Sequence, residues 1–194
     1  MSQFEFMMMI ASVVVAISMT ELASGWGKLV RSTSSKRYYF LHLAWTVYLL
    51  LLAVQYWIGM WSYNDLKIQF VGQVYFLVIP TVFLVISAYA LTPHVSDINT
   101  FDAKAYFFKN RKGIFLSMAV FFVLAWTADL VIAGVDRIEI NFLAMSVALA
   151  LAKSCLAFTN NRILHGIVLA FAMSTALGGM SVELAEHDGR WQSP

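Results

Sequence analysis

Six long apolar runs, separated by short polar connections, decide what this chain can fold into. They fall at Phe4–Gly25, Leu41–Trp61, Ile68–Leu91, Gly113–Val135, Ile140–Phe158 and Ile163–Leu184. About 20 helical residues cross the roughly 30 Å hydrocarbon layer of a bilayer, so each run is long enough to span it. The expected fold is therefore an all-α integral membrane protein, a six-transmembrane-helix bundle. Composition points the same way. Hydrophobic residues make up 60% of the 194 and charged residues 12%, against about 25% charged in a soluble domain. No soluble domain, linker or low-complexity segment interrupts the sequence, so residues 1–194 read as a single membrane domain. The first run is expected to be a retained span rather than a signal peptide. MSQFEF carries no positive charge, and Lys28 and Arg31 follow the apolar core instead of preceding it.

Lys and Arg in the short connections set the expected orientation. Lys28, Arg31, Lys36 and Arg37 follow the first run, and Lys104, Lys109, Arg111 and Lys112 follow the third. The connections after the second and fourth runs hold only Lys67 and Arg137, and Arg162 lies between the fifth and sixth. Both termini then lie on the non-cytoplasmic side, with the inner (plasma) membrane of a bacterium as the expected location. Trp57, Trp61, Trp26, Tyr38 and Tyr39 stand at span ends as interfacial rings. Within Thr92–Lys112, the period of Phe101, Ala105, Phe108 and Lys112 predicts a separate amphipathic helix on the membrane surface.

The runs also carry small-residue seams. Gly166, Ala170, Ser174 and Gly178 recur every fourth residue in the sixth run, and Ala144, Ala148 and Ala152 do so in the fifth. Such seams allow close helix contact, so the fifth and sixth helices are expected to form a tight hairpin.

Ionisable residues inside apolar runs are costly and mark candidate functional positions. Lys153 sits in INFLAMSVALALAKSCLAFT, a run with no Asp or Glu, where insertion costs about 2.5–3.5 kcal/mol. Glu21 lies in the first run, on one stripe with Ser18, Gly25 and Lys28. Counted from the outer ends at about 1.5 Å per residue, Glu21 lies about 25 Å deep and Lys153 about 20 Å deep, which predicts an ion pair between them. Asp129 and Glu183 occupy the outer third of the fourth and sixth runs. A solvated or capping role, or a pairing of Asp129 with Arg137, competes there with an outer carboxylate vestibule that concentrates cations.

Uncharged polar groups extend the set. Gln55 sits in the second run and Gln69 and Gln73 in the third, where Pro80 removes a backbone donor and predicts a kink. Broken helices of this kind line central sites in transporters. His42, His94 and His165 share one depth at the cytoplasmic ends of their runs and are weak candidates for a metal site. Interfacial histidines without a ligand are the commoner case.

No catalytic motif is present: the sequence lacks HExxH, GxSxG, a Gly-rich phosphate loop and an EF-hand pattern. The formal charge of +2 argues against nucleic acid as a partner, and nothing implies a cofactor. The single Cys155 makes neither an internal disulfide nor a CxxC metal site. Two function classes remain. The first is ion or small-solute transport or channel activity through intramembrane charges, in a homo-oligomer or with a membrane-protein partner in the lipid bilayer. The second is a non-transporting sensor, assembly or lipid-binding module in which a Glu–Lys pair only fixes helix register.

Overall fold

The computed structural model describes residues 3–63, 72–94, 98–133 and 140–191, with the backbone alone described at 3, 62, 72, 98, 133, 140–142 and 179–191. Among the described residues there is no strand. The helices are α1 (Gln3–Arg31), α2 (Phe40–Gly59), α3 (Gly72–Leu91), α4 (Ala103–Ala133), α5 (Ile140–Phe158) and α6 (Arg162–Trp191), with short 3-10 turns at Met60–Tyr63 and Ile98–Thr100. Stretches within α1, α2, α3 and α4 are long and apolar enough to cross a membrane, which makes the chain a helical membrane protein.

Helices α1, α3, α4 and α5 pack in that order as a row, and α2 lies across it against α1, α3 and α4 while also carrying α6. This makes α2 the interior helix. Trp45, Tyr48, Leu49 and Ala53 on it are almost wholly removed from the surface, packed with Leu84, Leu91, Phe107, Phe115 and Met118 of α3 and α4. Burial of each such side chain contributes about 1.5–3 kcal/mol relative to exposure to water. In lipid, dense packing takes over much of that role. Two indole donors fasten α1 to α2: Trp26 Nε1 donates to Thr46 Oγ1 at 2.9 Å, and Trp57 Nε1 donates to Ser12 Oγ at 2.8 Å. Ser87 and Ser117 share a 2.7 Å hydrogen bond between α3 and α4.

Two expectations are corrected by this architecture. The periodic segment after Thr92 is no separate surface helix, because α4 runs unbroken from Ala103 for 31 residues. Asp102 starts it. Its carboxylate accepts from the Ala105 amide at 2.9 Å and its carbonyl from the Tyr106 amide at 2.9 Å, the geometry of an N-cap. Phe101 is buried with Leu29 and Ala103 rather than laid on a membrane surface. Nor do α5 and α6 form a tight hairpin: α5 packs mainly on α4, and α6 mainly on α2. The small seams face outward, with Ala144, Ala148, Ala170 and Ser174 all exposed. A Cβ added at Gly166 would meet nothing. Small side chains permit close contact, but larger apolar side chains on other faces decided the packing.

Candidate functional site

Lys153 is fully buried, and its ammonium lies over two rings: Phe122 of α4 at 4.2 Å and Tyr48 of α2 at 5.1 Å from the centroids. Its Nζ has no hydrogen-bond partner among the described residues. Cation–π attraction of about 2 kcal/mol or more in a desolvated site offsets part of the burial cost. The side chain thus joins α5, α4 and α2 through aromatic faces. The expected ion pair with Glu21 is not formed. α1 and α5 stand at opposite ends of the row, with α3 and α4 between them, so equal depth does not bring the two side chains together.

Glu21 pairs instead with His94. Glu21 Oε1 lies 3.2 Å from His94 Nε2, with the glutamate side chain 15% exposed and the histidine 47% exposed. Several contacts hold this arrangement. Thr92, just past the end of α3, donates from Oγ1 to the Glu21 carbonyl at 3.2 Å. The Thr92 carbonyl accepts from His94 Nδ1 at 2.9 Å and from Tyr106 Oη at 2.6 Å. The Tyr89 ring stacks on His94 with centroids 5.5 Å apart. Gly25, one turn beyond Glu21, makes room for Thr92, since a Cβ there would sit 3.0 Å from Thr92 Cγ2.

A carbonyl only accepts, so His94 Nδ1 carries a hydrogen, and Nε2 is the ring nitrogen that faces the Glu21 carboxylate.

The pair stands at the edge of an open groove between α1 and α3, lined by Val13, Ala16, Ile17, Thr20, Glu21 and Tyr89, with a volume of about 390 Å³. Val13, Ile17 and Tyr89 are exposed there.

The remaining positions are dispersed. Asp129 accepts a hydrogen bond from Tyr63 Oη, so it is satisfied inside the bundle; Arg137 lies outside the described residues. Gln73 is buried, with Nε2 3.5 Å from the Val131 carbonyl. Gln55 is half-buried on α2. Gln69 lies outside the described residues, and Glu183 falls on the backbone of α6 with its side chain outside them. Pro80 is buried inside α3, which continues through it as one helix. Tyr56 Oη donates to the Leu77 carbonyl at 2.8 Å, beside the Phe76 carbonyl that the proline deprives of its helical donor.

The three histidines do separate work. His42 is buried with Nε2 2.7 Å from the Leu91 carbonyl, and His165 is buried among the rings of Phe107, Phe108 and Phe115 with Nε2 3.1 Å from the Thr159 carbonyl. Among the described residues no group of three His, Cys, Asp or Glu side chains converges to hold a metal ion. Sequence reasoning missed the Glu21–His94 pair and the stacked Tyr89. The signal was available in the distance of each group from its nearer helix end, because Thr92 and His94 close α3 at the level where Glu21 leaves the core of α1. No protein-family model, curated protein or solved structure matches the chain.

Proposed function

We propose that the chain is a six-span membrane module with both termini on the non-cytoplasmic side, which recognises a membrane-borne ligand rather than conducting an ion. Basic side chains at one end of the bundle support that orientation: Lys28 and Arg31 in the last turn of α1, Lys36 and Arg37 after it, and Lys104, Lys109, Arg111 and Lys112 on α4. The observation that carries the functional reading is the enclosure of Lys153 by Tyr48 and Phe122. A lysine on an ion path needs water or an exchangeable partner, whereas this one is held by rings from two neighbouring helices. Glu21, whose side chain is 15% exposed, lines the groove between α1 and α3, on the side where lipid would lie.

Flux through vesicles containing the purified protein tests this. Proton and monovalent-cation flux is expected to equal that of empty vesicles for the wild type, Lys153→Met and Glu21→Gln alike. Wild-type flux that disappears in either variant, with the fold intact by circular dichroism, would overturn the reading in favour of transport.

A further inference from the structure

The groove between α1 and α3 has a polar end, an apolar flank and a definite order of charge. Glu21 and Tyr89 form the polar end, level with the last turn of α3, which finishes at Leu91. Ile17 and Val13 continue from Glu21 along α1, about 12 Å towards the middle of the helix. Lys28 lies about 10 Å from Glu21 in the opposite direction, towards the end of α1. A molecule lying along this face from the bilayer interior meets apolar side chains first, then a carboxylate beside an aromatic ring, and only afterwards a cation.

That order selects among amphiphiles. A zwitterionic phospholipid presents its phosphate before its ammonium, which would set phosphate against Glu21 and ammonium against Lys28. An amphiphile with one ammonium attached directly to its apolar chain fits both ends: the cation meets Glu21 and the face of Tyr89, and the chain follows Ile17 and Val13.

We propose that this groove binds a monocationic, single-chain amphiphile from the bilayer, with its ammonium at Glu21 and its chain along Ile17 and Val13. The groups that face Glu21 are His94 following α3, the Tyr89 ring beside it, and Tyr106 of α4, whose hydroxyl is tied to the Thr92 carbonyl. The proposal names the ligand class of the recognition module described above and rests on that reading.

The test is saturation binding of decyltrimethylammonium, whose charge does not change with pH, to the full chain in phosphatidylcholine nanodiscs. Saturable binding is expected. Glu21→Gln should reduce affinity about tenfold or more. Ala16→Trp, which fills the groove without touching its charge, should do the same. Absence of saturable wild-type binding, or equal binding by folded Glu21→Gln and Ala16→Trp, would overturn the proposal. So would displacement of the probe by phosphatidylethanolamine at equal mole fraction, which would assign the groove to phospholipid. Binding accompanied by carriage of the probe across a vesicle wall would overturn the module reading and leave this inference standing.

Discussion

Lys153 and Glu21 are charged residues within apolar helices, yet their surroundings differ in kind. Lys153 is enclosed by aromatic faces from α2 and α4, and among the described residues its ammonium is matched by the π-electrons of Phe122 and Tyr48. Glu21 is largely enclosed, faces His94 at 3.2 Å and lines a groove. A sealed charge can hold helices in register but has no route to exchange with anything. A charge at the rim of a groove can change partners, so an intramembrane charge gains functional meaning from its access rather than from its depth.

Charge reversal in the sealed region should have the largest effect. Lys153→Glu places a carboxylate against the negative faces of two rings in a site with no compensating cation. It should destabilise the bundle by about 3–5 kcal/mol, the scale of an uncompensated buried charge. Unfolding in mixed micelles measures this, and wild-type stability in that variant would show that the region is open to water. Lys153→Met, by contrast, nearly conserves volume and removes both the desolvation cost and the cation–π gain. A change of less than about 1.5 kcal/mol is expected for it.

The polar end should break by crowding. Gly25→Val puts a branched side chain where even a Cβ would come within 3.0 Å of Thr92 Cγ2. Thr92 binds the Glu21 carbonyl, His94 and Tyr106 at once, so its displacement should loosen α1 from α3. The expected loss is about 1–3 kcal/mol, the usual cost of overpacking. Hydrogen exchange at the end of α3 should rise with it. Exchange unchanged there would mean that Thr92 moves aside freely and does not organise the Glu21–His94 pair.

The same contrast explains what was legible in the sequence. Run length located the helices, because spanning depth and apolar content are properties of each segment alone. Helix neighbours are properties of pairs, and the seams on α5 and α6 showed which faces allow close approach without showing which faces make it. The pairing of Lys153 with Glu21 was inferred from depth along the membrane normal, while the lateral order α1, α3, α4, α5 separates them. Aromatic residues were read as interfacial belts, so the rings that hold Lys153, Tyr48 and Phe122, passed as ordinary apolar residues. Asp102 ahead of the apolar residues Phe107 and Phe108 is a helix-start signal that the sequence carries.

Asp102 provides the smallest and most local of the expected effects, and it belongs to the polar end through α4, which carries Tyr106 to Thr92. The Ala105 amide at 2.9 Å, assisted by Lys36 at 3.8 Å and by Lys104, holds its carboxyl below the usual carboxylate range against a weaker upward effect of burial. A carboxylate lowered on folding contributes stability above its unfolded value and loses that contribution as pH falls through its folded value. Acidification through the carboxylate range should therefore fray the first turn of α4. Asp102→Ala should cost about 1 kcal/mol at neutral pH, as caps generally do. Asp102→Asn should keep the cap, since its amide oxygen still accepts from Ala105, while removing this part of the acid sensitivity. Hydrogen exchange followed against pH should separate the two regions. Protection at the start of α4 should fall in acid in the wild type and not in Asp102→Asn, with amides around Lys153 on α5 unchanged by that substitution.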